Sequence, residues 1–212
     1  MGILRTLDIV KGDDQIAASI FENLAPHFLD VAYSTPSEYV SWYWKKYQES
    51  RVGDDSTNNV NGKVFEYILA TLLVREEILP IYLSAHVAFV PNVIYDIMLY
   101  TAARGPICLS AKTSLRERYK QADLEAIALK YVHRKSLSYL ITMNQKEANS
   151  VNQKISTGDV IGLDEVIFAS SERFDNLISE LKKMTFTDSP TVQVITSNQI
   201  VTADKVQKLM PR

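Results

Sequence analysis

The sequence predicts an α/β fold, a mixed sheet flanked by helices. Three observations carry this. A stretch with helical periodicity ends at Pro80. Three stretches rich in β-branched and aromatic residues follow it, divided by Pro91-Asn92 and by Arg104-Gly105. From Leu115 onward helical and extended patterns alternate, the rhythm of strands laid side by side through helical crossovers. The 212 residues read as one domain, with a helical N-terminal part over 1–58 and a core over about 60–185.

Taken in order, residues 13–31 read as an amphipathic helix. Ile16, Ile20, Phe21, Leu24 and Leu29 recur at helical spacing, and Pro26 is expected to kink or break it. Pro36 follows Thr35, so a second helix opens at Ser37-Glu38 and runs to about Glu49. It carries Tyr39, Trp42, Tyr43, Trp44 and Tyr47. Residues 51–61 are polar and read as a loop. An EF-hand is excluded there, because a loop with Gly62 at its sixth position would place Ile68 at its twelfth. Asn61 caps a third helix over 62–77, with Phe65, Ile68, Leu69, Leu72 and Leu73 on its apolar face. Strands are expected over 81–90, 93–100 and 106–111, with hairpin-like connections. A helix over 115–131, a strand over 136–142, a weak helix over 146–155, a short strand over 165–169 and a helix over 171–183 complete the pattern. From Phe186 the pattern is indistinct.

Composition removes several classes of function. Hydrophobic residues make up 46% and charged residues 23%, as in ordinary globular proteins. One cysteine, Cys108, rules out an intrachain disulfide and a cysteine-rich zinc site, and fits a reducing, cytoplasmic compartment. The opening residues lack the charge-then-apolar pattern of a secretory signal. The best apolar run, 93–103, is interrupted by Asp96, so no membrane association is expected. His27, His86 and His133 show no metal-binding spacing, and neither a glycine-rich phosphate loop nor a Ser-His-Asp pattern is present. Net charge is −2. Residues 112–135 nevertheless carry seven basic against three acidic side chains, a local concentration suited to phosphate.

Chemistry is expected where polar residues interrupt apolar strands. Asp96 sits inside Val93-Ile94-Tyr95-Asp96-Ile97-Met98-Leu99, where a buried carboxylate needs a partner or a metal. Lys112 ends the next strand, and if the two strands are neighbours both residues meet at one end of the sheet. Ser110 lies two before Lys112 and shares its face. Cys108 shares it too but sits deeper, where packing is its expected role. Glu125 falls on the following helix and Glu66 on the preceding one. Three carboxylates and a lysine at one sheet end suit Mg²⁺ and the hydrolysis of a phosphodiester.

The segment Lys112-Thr113-Ser114-Leu115-Arg116-Glu117-Arg118, continuing through Tyr119-Lys120-Gln121-Ala122-Asp123-Leu124-Glu125, resembles the CCGG-type restriction endonucleases of the PD-(D/E)xK superfamily. In that family the acidic residue two before the lysine is displaced, and a glutamate 13 or 14 residues after the lysine replaces it. Ser110 occupies the vacated position here and Glu125 stands thirteen after Lys112. Asp96 matches the family's earlier aspartate and Glu66, more weakly, its helical glutamate. The likeness spans about residues 60–185. It implies a restriction-endonuclease-like sheet, a Mg²⁺ cofactor held by Asp96, Glu125 and Glu66, and a nucleophile positioned by Lys112. Arg116, Glu117 and Arg118 stand where the family reads C:G pairs, with arginine donating to guanine and glutamate accepting from cytosine. The compact Arg-Glu-Arg form implies a target of the CCNGG or CCWGG kind, cut in duplex DNA by a homodimer in a prokaryotic cytoplasm. Flipped central bases would need an aromatic platform, for which Trp42 and Trp44 are the candidates. The chain is short for the family, so an N-terminal regulatory domain is expected to be absent.

Other readings of the same residues stay open. A nicking, repair or junction nuclease would use the same catalytic set, and a non-catalytic DNA-binding module would carry a degenerate version of it. Arg116, Glu117 and Arg118 also suit a solvated helix start, and Trp42 and Trp44 suit packing.

Overall fold

A computed structural model describes residues 2–11, 15–25, 27–51, 58–188 and 195–209. Four helices come first: α1 (Ile3–Thr6), α2 (Gln15–Leu24), α3 (Pro36–Ser50) and α4 (Asn58–Arg75). The sheet begins with β1 (Ile81–Val87), β2 (Tyr95–Thr101) and β3 (Gly105–Lys112). Then come α5 (Arg118–Val132), β4 (Leu137–Thr142), α6 (Gln145–Thr157), β5 (Glu165–Phe168) and α7 (Glu172–Lys182). Two short strands, β6 (Ile195–Thr196) and β7 (Gln199–Val201), precede α8 (Ala203–Leu209). The fold is α/β, as expected. Its described residues form a seven-stranded mixed sheet in the order β5-β4-β3-β2-β1-β6, with β7 also paired to β1.

The first three strands form an antiparallel meander, whereas β4 and β5 run parallel to β3. That switch follows from the connections: a turn joins β2 to β3, while α5 and α6 carry the chain back before β4 and β5. Alternation along the strands divides the core. Ile97, Leu99, Ile107 and Leu109 face the layer containing Phe65, Ile68 and Leu72 of α4 and Phe174 and Leu177 of α7. Met98 and Cys108 face the other way, against Leu129 of α5. Further along, Leu140 and Val166 pack with Ala122, Ala126 and Ala148 of α5 and α6. Each large apolar side chain fully buried here contributes about 1.5–3 kcal/mol.

Several boundaries differ from expectation for local reasons. The helix expected over 13–31 stops at Leu24, a separate 3₁₀ turn covers Phe28–Asp30, and Pro26 itself lies outside the described residues. α3 begins one residue early because Thr35 accepts the Glu38 N–H through its hydroxyl and Pro36 occupies the first turn. α4 starts at Asn58, so Asn61 is inside the helix and not its cap; its side chain accepts the Tyr47 hydroxyl instead. Residues 52–57 of the expected polar loop lie outside the described residues. β1 ends at Val87 and β2 begins at Tyr95, because the intervening chain turns through left-handed conformations at Phe89 and Asn92 (φ 64° and 63°).

The indistinct C-terminal region completes the sheet. β7 pairs with β1 through Ile81↔Val201 and Leu83↔Gln199, and the Gln199 side chain donates to the Ile9 carbonyl at 2.8 Å. At the opposite margin, β5 is the edge strand. The Asn152 amide of α6 donates to the Val166 carbonyl at 2.6 Å and accepts its N–H at 2.9 Å. Gly162, ahead of β5, allows α5 to approach closely: a Cβ there would lie 2.3 Å from the Asp123 carbonyl and 2.7 Å from the Ile127 nitrogen. Among the described residues no helix is long and apolar enough to cross a membrane.

Candidate active site at one end of the sheet

Antiparallel pairing of β2 and β3 puts the start of one beside the end of the other. With Ile97 opposite Leu109 and Met98 opposite Cys108, Asp96 is carried to the end of the sheet at which β3 delivers Lys112. Asp96 Oδ2 accepts the Lys112 ammonium at 2.7 Å and the Ala111 N–H at 2.8 Å. Both side chains are largely shielded, with 24% of Lys112 and 18% of Asp96 exposed. Burial opposes the charge on Lys112, but the carboxylates of Asp96, Glu66 and Glu125 outweigh it and hold the ammonium above its ordinary range.

Helices on opposite faces of the sheet supply the other two carboxylates. Glu66 extends from α4, where Lys63, one turn earlier, donates to its Oε2 at 2.9 Å. Burial pushes the Glu66 carboxyl up, the charge of Asp96 pushes it further, and Lys63 pulls it back. Glu125 extends from α5 and accepts from the Gln121 amide at 2.8 Å. Its carboxyl is also raised, first by burial and additionally by Asp96, against the opposing pull of Gln121 and Lys112. The Tyr95 hydroxyl donates to the Glu125 carbonyl at 3.0 Å and ties α5 to β2 beside Asp96. The charges of Lys112 and Asp96 therefore reach both glutamates.

A cleft of about 430 Å³ opens over Lys112. Asn59, Gly62, Lys63 and Glu66 of α4 form one wall, and Arg118 and Gln121 of α5 the other. Asp96 and Glu125 are not part of its lining. Ser110 is buried, with its Oγ 3.7 Å from Cys108 Sγ, so it supplies no polar group to the cleft. Burial pushes the Cys108 thiol up to about 12, which keeps it inert.

Arg116, Glu117 and Arg118 are exposed at the start of α5. Arg116 has a left-handed backbone (φ 39°), and its N–H and that of Leu115 both donate to the Glu147 carboxylate of α6. Glu117 pairs with Lys120. Trp42 and Trp44 are not brought to the cleft. Trp42 stacks under the Lys46 ammonium, 4.2 Å from the ring centroid, and Trp44 packs against Phe65 and Tyr47.

The basic run is partly neutralised within the fold. Lys112 pairs with Asp96, Lys120 with Glu117, and Lys130 with Asp164 at 2.8 Å. Arg116, Arg118, Arg134 and Lys135 are exposed and join no ion pair among the described residues. Sequence reasoning missed Lys63, Gln121 and Glu147. The first two were legible, because Lys63-Glu66 and Gln121-Glu125 have the spacings that meet on a helix. Glu147 carries no local signal, since its partners are backbone groups of a distant turn.

Mg²⁺ is commonly held by one or two carboxylates, with water and substrate oxygens completing its shell. Asp96, Glu66 and Glu125 offer oxygen donors of that kind, and burial and the charge of Asp96 raise the carboxyls of Glu66 and Glu125. Among the described residues no three carboxylate, imidazole or thiolate groups converge at ligating distance. Each acidic group is drawn instead to a nitrogen partner: Asp96 to Lys112, Glu66 to Lys63 and Glu125 to Gln121. The chain matches no family model, no curated protein and no solved structure.

Proposed function

We propose that the protein is a Mg²⁺-dependent endonuclease that hydrolyses phosphodiester bonds of duplex DNA at a short site containing C:G pairs, of the CCNGG or CCWGG kind. The observation that carries this reading is the Asp96–Lys112 pair at a strand end, 2.7 Å apart, within reach of the charges of Glu66 and Glu125 on helices at opposite faces of the sheet. Asp96 and Glu125 would hold the ion, with Glu66 as a further ligand or as an anchor for its waters. When bound, the ion polarises the scissile phosphate and lowers the pKa of a coordinated water. Lys112 orients the attacking oxygen and offsets charge developing on the phosphate. Lys63 lines the cleft, where it can attract the DNA backbone. Arg116, Glu117 and Arg118, exposed beside the cleft, are the groups assigned to base edges.

A near-palindromic site matches a two-fold protein, so each subunit of a homodimer would cut one strand. A restriction role would place the protein in a prokaryotic cytoplasm. The test is digestion of phage-sized linear DNA with Mg²⁺ or with EDTA, with Asp96→Ala alongside. Discrete fragments that need Mg²⁺ and Asp96 are expected, and their mapped ends give the site. Binding without cutting, under any divalent metal, would overturn the reading in favour of a DNA-binding module.

A further inference from the structure

We propose that Glu147 is a positioning residue: it sets the pose of Arg116, Glu117 and Arg118 and thereby the fidelity with which base pairs are told apart. The inference rests on the nuclease reading above. Both oxygens of the Glu147 carboxylate are committed to backbone, Oε2 to the Leu115 N–H at 2.7 Å and Oε1 to the Arg116 N–H at 3.2 Å. These two groups precede the first residue of α5 and have no partner inside that helix. The next link is a tight turn, in which the Arg118 N–H donates to the Leu115 carbonyl at 2.5 Å. Arg116 is held there at φ 39°, a conformation that is uncommon and costly for a residue with a side chain.

The backbone that carries the carboxylate is itself fixed. The Glu147 N–H donates to Asn144 Oδ1 at 3.2 Å, which caps α6, and the Asn144 N–H donates to Thr142 Oγ1 at 3.3 Å. Thr142 ends β4 directly beside Lys112 on β3. Leu115, 1% exposed, anchors the same turn in the core against Ala148 and Val151 of α6. One connected path therefore runs from the strand next to the proposed catalytic lysine to the backbone that presents the arginines. Paired hydrogen bonds from an arginine to guanine O6 and N7 require that backbone to be in place within a fraction of an ångström, whereas attraction to phosphate does not. Loss of the carboxylate frees Arg116 to relax and re-aims its side chain. Discrimination should fall while general attraction to DNA persists.

The test compares wild type with Glu147→Gln and Glu147→Ala. Each protein cuts a duplex carrying the site mapped with wild type, and a set in which one C:G pair is replaced by T:A; melting midpoints are recorded in parallel. Glutamine keeps the size but presents an amide to one of the two N–H groups. The expected result is a fall of about tenfold or more in the ratio of cognate to altered-site cutting, the value of about one lost hydrogen bond to a charged group. A folded Glu147→Gln protein with the wild-type ratio would overturn the inference, as would equal losses on every duplex. If Glu147→Ala does not fold, the glutamine variant carries the result. If wild type itself cuts nothing, the nuclease reading has failed and this inference falls with it; the wild-type lane alone distinguishes that case.

Discussion

Replacing Lys112 by alanine separates the structural from the chemical contribution of the central pair. The ammonium lies 2.7 Å from Asp96, and the two side chains are 24% and 18% exposed. Exposed ion pairs contribute at most about 1 kcal/mol, and breaking a fully buried one costs about 3–5 kcal/mol. This pair lies between those limits. The Ala111 N–H still bonds to Asp96 in the variant, so a loss of about 2 kcal/mol is expected. For a chain of this size that lowers the melting midpoint by about 4–8 °C. A protein with a typical stability of about 5–15 kcal/mol remains folded at 25 °C. Cleavage should respond far more strongly, because a fixed positive donor at a developing charge is worth about 10²–10³ in turnover. The assay is single-turnover cutting of a plasmid with one mapped site at 25 °C, beside a thermal melt. A Lys112→Ala protein that is folded at 25 °C and cuts within twofold of wild type would refute the catalytic assignment.

Four further outcomes are expected. Arg116→Ala and Arg118→Ala should each cost about 1–3 kcal/mol of discrimination at one base pair, as read by binding titrations on cognate and altered duplexes, whereas Arg134→Ala and Lys135→Ala, next to the end of β4 away from Lys112, should leave binding unchanged. Cys108 is 3% exposed and its thiol is pushed up to about 12, so it should resist thiol reagents at pH 8 until the protein unfolds. The native thiol keeps its proton above pH 9, where the unfolded one releases it. Stability should therefore fall as pH rises beyond about 9, less so in Cys108→Ala, as measured by denaturant titrations at pH 8 and 10.5. Gly162→Ala should lower stability by about 1–3 kcal/mol, because the added methyl meets backbone atoms of α5; an unchanged melting midpoint would show that the two segments separate readily.

The sheet was largely legible because its strands carry dense β-branched and aromatic runs bounded by turn residues. Asp96 and Lys112 stood out for a physical reason: a charge inside or at the end of an apolar strand needs a partner, and each proved to be the other's. Glu125 was reachable only through its distance from Lys112 along the chain. The short strands β6 and β7 were not legible, since two or three residues cannot establish an alternation and their pairing with β1 is purely tertiary. The basic run looked richer in the sequence than it is in space. Lys130 finds Asp164 across the fold, a neutralisation that no local count reveals. The aromatic residues of α3 gave no hint of direction, and the fold directs Trp44 against Phe65 and away from the cleft.

The Asn152 amide has a consequence for how copies of this chain can meet. Edge strands invite a second molecule to extend the sheet, a route to fibrils and to continuous intermolecular β-structure. At β5 the amide already occupies a donor and an acceptor that an incoming strand would need. Docking there would first require two hydrogen bonds to be surrendered and α6 to be pulled aside. Pairing of subunits through β5 is thus disfavoured, and this margin of the sheet acts as an end stop against runaway polymerisation.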